Sequence, residues 1–148
     1  MSTQQSLYDK DYYAWTVETA NKLRSKQLND LDIDHLIEEV ESMGASELRQ
    51  LQSRLEVLIM HLLKWQYQSK KQSRSWTLTI EEQRKRIKRL LKKMPSLKAC
   101  IQEEALEAHG YAIIKSAKET GLDKSVFPCE LPYTLEQLLD DNFYPMNN

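Results

Sequence analysis

The chain has 148 residues, 41% of them hydrophobic and 29% charged, a balance that suits one globular domain and argues against disorder. Three glycines and four prolines are too few for a sheet with many turns, so long helices are expected. No apolar run is long enough to cross a bilayer: the most apolar stretch, residues 55–63, is broken by Glu56 and His61.

In chain order, a first helix is predicted over residues 9–26. Asp9 and Asp11 stand at its positive end, and its inward face reads Tyr12, Trp15, Thr16, Thr19 and Leu23. A second helix opens at Asp32 and Asp34 and carries the stripe Ile33, Leu36, Ile37, Val40 and Met43. Gly44 either ends it or marks a kink in one longer helix, and a break or kink is the favoured expectation. The third helix, over 46–68, has Leu48, Leu51, Leu55, Leu58, Leu62 and Trp65 at alternating spacings of three and four. Ile59 and Leu63 widen that seam to a face suited to a bundle.

A polar corner at 69–73 leads to a fourth helix with Trp76, Ile80, Ile87, Leu91 and Met94 on one face, stopped by Pro95. Ser96 is expected to cap a fifth helix with Leu97, Ile101, Ala105, Ala108 and Ala112 in register, ended by Gly121. The run TLEQ, Thr134 to Gln137, fits a capping box and starts a short terminal helix. The expected fold is all-α: a single domain spanning 1–148, ordered over about 7–145, with four main helices plus short ones including a C-terminal one. The third helix is central, its seam packed against helices one, two, four and five.

Several segments together carry a resemblance: YDKDYYAW, DIDHLIEEVESMG, HLLKWQYQ, RSWTLTIEEQRKRI and PYTLEQLLDDNFYP. In this order and at these separations the chain resembles the bacterial family called Domain of Unknown Function 29, over residues 7–145. The resemblance implies a compact helical bundle in bacteria, abundant in photosynthetic lineages, and no established activity. The matching positions include Tyr12, Trp15, Glu38, Glu39, Gly44, His61, Lys64, Trp65, Gln66, Arg74, Trp76, Gln83 and Arg84. The basic run from Lys85 to Lys93 is heavier than the resemblance requires.

That run is the main clue to a partner. Residues 64–93 hold 11 Lys and Arg against 2 Glu, a local net of +9 in a chain of net −1. Lys64, Lys70, Lys71, Arg74, Arg84, Arg86, Lys88 and Arg89 are therefore the candidate partner-binding residues, and a nucleic acid or an acidic protein is the candidate partner. The plainer reading is a solvated helix face whose last-turn cations suit the dipole. Pairing with the chain's own acidic stretch is another, since residues 30–56 carry 8 acidic against 2 basic side chains.

Trp65 and Trp76 flank these cations, but each continues an apolar seam, which favours core over a base-stacking platform; Arg74 is expected over one ring. Gln83 falls in the middle of an apolar stripe. Its amide needs partners, Gln66, His61 or a backbone carbonyl, and so either fixes bundle register or floors a small pocket of His61, Trp65, Gln66, Trp76 and Gln83 beside Arg74.

Asp32, His35 and Glu38 have metal-like spacing, yet the second Glu-x-x-His motif of a bundle di-metal site is missing, so no metal is expected. There is no phosphate loop, GxSxG or HExxH, and no catalytic residue or cofactor is assigned. The start, MSTQQSLYDKDYY, lacks secretory features, and Cys100 and Cys129 have no CxxC spacing. The expectation is a bacterial cytoplasmic interaction module, not a membrane protein. The alternatives are a small enzyme or ligand-binding protein using the pocket, and a homo-oligomer that pairs apolar surfaces.

Overall fold

A computed structural model describes residues 5–147; Met1 to Gln4 and Asn148, the ends of the expected 1–148 domain, lie outside the described residues. The fold is all-α, and no strand occurs among the described residues. The helices are α1 (Leu7–Lys10), α2 (Tyr12–Arg24), α3 (Ile33–Tyr67), α4 (Arg74–Lys93), α5 (Ile101–Thr120) and α6 (Leu135–Leu139). Tight 3-10 turns lie at Leu28–Asp30, Ser69–Lys71, Pro95–Ala99 and Lys124–Val126. The chain forms two compact units, Met1–Ser46 and Glu47–Asn148.

In the first unit the predicted opening helix is two helices. Asp11 leaves helical geometry, closes α1 through its backbone N–H, and caps α2 by accepting from the Ala14 N–H at 3.0 Å. Trp15 and Thr19 are buried as expected, whereas Tyr12 and Leu23 are exposed. What binds α1 and α2 to the start of α3 is a polar network. Glu39 accepts from the Tyr8 and Tyr12 hydroxyls, each at 2.5 Å, and the Tyr8 ring stacks on His35 with centroids 4.1 Å apart.

Gly44 does not break the helix. Residues 33–67 form one uninterrupted helix of 35 residues, so the predicted second and third helices are a single element and the second is no separate partner for the third's seam. A glycine costs a helix interior only about 1 kcal/mol. The strong formers on either side of it outweigh that.

The second unit is a helical bundle around the α3 seam. Leu51, Leu55, Leu58, Ile59, Leu62 and Leu63 are wholly buried, joined by Ile80 and Ile87 of α4 and by Ile101, Ala105, Ala108 and Ala112 of α5. Each fully buried Leu or Ile contributes about 1.5–3 kcal/mol. Ser73 caps α4, and Gly121, at φ 75°, ends α5. Ser96 does not cap α5: it sits inside the turn Pro95–Ala99, and Cys100 takes the cap position. The capping box is present, with Gln137 N–H donating to Thr134 Oγ1 at 3.1 Å and Thr134 N–H donating to Gln137 Oε1 at 2.9 Å.

Candidate functional site

Of the eight predicted partner-binding cations, two are removed from the surface. Arg84 is wholly buried, which corrects its place in the set. Its Nε donates to the Leu138 carbonyl at 2.8 Å, and its Nη2 donates to the carbonyls of Phe143 (2.8 Å) and Gln137 (3.2 Å). A guanidinium in the middle of α4 thus ties the C-terminal segment to the bundle, with the Tyr144 ring 5.6 Å away. Burial lowers its pKa. Lys64 is also buried, paired with Glu119 at 2.7 Å. It is Lys64 and not Arg74 that lies over the Trp76 ring, 4.7 Å from its centroid.

The remaining six stay exposed or half-exposed: Lys70 and Lys71 on the turn, Arg74 at the start of α4, and Arg86, Lys88 and Arg89 along it. Lys88 pairs with Asp141 at 2.9 Å and Arg86 with Glu82 at 2.9 Å. The acidic C-terminal segment therefore neutralises Lys88 and holds the Asp141 carboxyl below its usual pKa. Arg54, Arg89, Lys92 and Lys93 have no ion pair among the described residues.

Four cations converge. An open cleft of about 220 Å³ runs between α3 and α4, lined by Glu47, Gln50 and Arg54 from one helix and Arg86, Arg89, Leu90 and Lys93 from the other. On the outer side of α4, Arg86 and Arg89 also line a shallow groove of about 490 Å³ with Leu78, Glu81, Glu82 and Lys85. Sequence reading missed Arg54 because it lies inside a segment whose overall charge is negative. Its signal was a helical spacing that puts Glu47, Gln50 and Arg54 on one flank of the α3 seam.

The chain belongs to the DUF29 family. A model of that family, "Domain of unknown function DUF29", matches residues 7–144. No curated protein and no solved structure is similar enough to match the chain. Several residues that carry the DUF29 resemblance hold the fold together: Glu39 between two tyrosines, Lys64 under Trp76, and Arg84 on the C-terminal carbonyls.

The five predicted pocket residues are engaged separately. His61 donates from Nδ1 to the Val57 carbonyl at 2.9 Å, and burial pulls its pKa down. The Trp65 ring packs against Tyr144 at 4.9 Å, and Gln66 accepts from the buried Tyr133 hydroxyl at 2.8 Å. Trp76 faces Lys64. Gln83 is buried as expected, and its Oε1 has no hydrogen-bond partner among the described residues. His61 and Gln66, its expected companions, bond to the Val57 carbonyl and the Tyr133 hydroxyl.

His109, in α5, is buried and donates from Nε2 to the Pro128 carbonyl at 2.8 Å, a structural role. No group of three or more His, Cys, Asp or Glu able to hold a metal occurs among the described residues. His35 and Asp32 pair at 2.6 Å, which accounts for their spacing without an ion. No helix among the described residues is long and apolar enough to cross a membrane. Cys100 and Cys129 are free thiols.

Proposed function

We propose that this chain is a non-enzymatic interaction module of the bacterial cytoplasm that binds nucleic acid through the phosphate backbone. The cleft between α3 and α4 is the binding element, with Arg54, Arg86, Arg89 and Lys93 on it, and the corner of Lys70, Lys71 and Arg74 extends the surface. The observation that carries this reading is the convergence of four cations, from two helices, on a cleft that holds one carboxylate.

Local helix energetics add support. Lys92 and Lys93, in the last turn of α4, are accounted for by the dipole. Lys70, Lys71 and Arg74 stand at the positive end of that helix, where the dipole disfavours cations, so helix stability does not explain them. Both tryptophans beside the corner are taken up by Tyr144 and Lys64, which favours phosphate contacts over base stacking. Reduced thiols fit a cytoplasmic setting.

Fluorescence anisotropy of the full chain against labelled single-stranded and duplex RNA and DNA, at low and near-physiological salt, tests the proposal. Affinity should fall steeply with salt, drop at least tenfold in Arg54→Glu/Arg89→Glu, whose cations have no ion pair among the described residues, and change little in Lys88→Ala, whose cation is already paired. Flat traces at low salt would remove nucleic acid. If the same double variant instead loses binding to polyglutamate, the cleft belongs to an acidic protein partner.

A second reading keeps one observation in its favour, the unpaired buried Oε1 of Gln83. A ligand pocket there requires Gln83→Leu to abolish ligand binding while stability holds or rises. A loss or gain of stability alone assigns Gln83 to the core.

A further inference from the structure

The stripe Ile33, Leu36, Ile37, Val40 and Met43 has the spacing of a core face, yet most of it is in solvent. Ile33 and Ile37 are each 49% exposed, Val40 55% and Met43 61%. An open groove of about 280 Å³ is lined by Ile33, Leu36, Ile37, Val40 and Glu41. Single exposed apolar residues are ordinary on a protein surface, but a contiguous row at i, i+4 and i+7 marks a contact face.

Charge decides what fits it. From Gln27 to Leu48 there is no Lys or Arg, while seven carboxylates occur. Asp32 is engaged by His35 and Glu39 by two tyrosines. Asp34, Glu38 and Glu41 form a second row at i, i+4 and i+7 directly beside the apolar one. All three are exposed, with no ion pair among the described residues.

A second copy of this chain is a poor occupant, because a two-fold antiparallel pairing of the stripes sets acidic row against acidic row. An anionic membrane surface is disfavoured on the same ground. The chain's own basic amphipathic helix, α4, is unsuited because Ile80, Ile87 and Leu91 are already buried in the second unit.

Gly44 supplies an independent observation. It continues the row Ile33, Ile37, Val40 by helical spacing and is exposed inside a helix that runs on through it. A Cβ added there meets nothing within 4 Å. Among the described residues nothing accounts for a glycine at this position. A helix laid along the stripe would, because its backbone could come close at that point.

We propose that the exposed face of α3 over residues 33–44 is a docking site for a basic amphipathic helix of a partner protein, its apolar row seated on Ile33, Ile37 and Val40 and its cations facing Asp34, Glu38 and Glu41. This rests on different residues and the opposite charge from the nucleic-acid cleft. The probe is a labelled synthetic 21-residue helix with leucines at the a and d heptad positions and lysines at e and g. A scrambled peptide of the same composition is the control.

Against the full chain, the striped peptide should bind saturably and at least tenfold more tightly than the scrambled one. Ile37→Gln/Val40→Gln should weaken it at least tenfold. Glu38→Gln/Glu41→Gln should weaken it at least threefold and flatten its salt dependence. Gly44→Leu should weaken it severalfold with unchanged circular dichroism. Absence of saturable binding, or equal binding by the scrambled peptide or by the double variants, overturns the proposal. So does a dimer in light scattering that Ile37→Gln/Val40→Gln dissolves, since the face would then belong to a second copy.

Discussion

The two ends of α3 carry the same helical periodicity and meet opposite fates. Over residues 51–63 every seam leucine is at zero exposure, enclosed by α4 and α5. Over residues 33–43 the stripe stays about half exposed, and the first unit is held instead by tyrosine, histidine and carboxylate side chains. A helix's pattern states which face seeks cover; it does not state whether this chain supplies it. Stability should therefore be concentrated in the second unit, and recognition can use what the first leaves open.

Substitutions separate the two ends most sharply where the core is tightest. Leu58→Ala should cost about 3–5 kcal/mol through lost burial and a cavity, whereas Val40→Ala should stay within about 0.5 kcal/mol, both read from urea denaturation. Equal costs would erase the distinction. Next comes Arg84→Ala, with an expected loss of about 2–3 kcal/mol as three carbonyls lose a charged donor. Arg84→Lys should recover little of it, because an ammonium lacks the guanidinium fork. Gly44→Ala should raise stability by about 1 kcal/mol, because the added methyl meets open space in a helix interior. A fall in Tm there would mean that the helix is strained at Gly44 after all.

The smallest effect is expected in the first unit's titration. The His35 ring nitrogen donates to Asp32, which raises the His35 pKa, aided by Asp9 and Glu38; the same bond lowers that of Asp32. The His35 contribution is complete below its ordinary pKa near 6.5 and is lost as pH rises through the raised value. The Asp32 contribution is complete above 3.8 and fades as pH falls through the lowered one. Amide exchange across α2 should therefore speed up, relative to its chemical rate, as pH rises above about 6.5. In His35→Gln that pH dependence should disappear.

Much of this was legible in the residues. The α3 seam, the capping box at Thr134, the stop at Gly121 and the small-residue register of α5 all follow from rules that act within a few residues of one another. The local misreadings arose where two such rules competed. Asp11 both ends and begins a helix, so one predicted element became two. Gly44 was weighed as a breaker, but its cost is small beside the helix on either side.

What the residues determined alone was helix content, the facing of each stripe and the presence of a cation-rich segment, because helical periodicity and charge are written along the chain. Only the tertiary structure decided which of those cations are on offer. Arg84 and Lys64 look like their neighbours in a charge count, yet burial binds them to carbonyls, a carboxylate and a ring. Arg54, hidden in an acidic stretch, is brought to Arg86, Arg89 and Lys93 by the packing of α3 against α4. Charge is local, but whether a charge is free depends on partners from distant parts of the sequence, and those only the fold brings within reach.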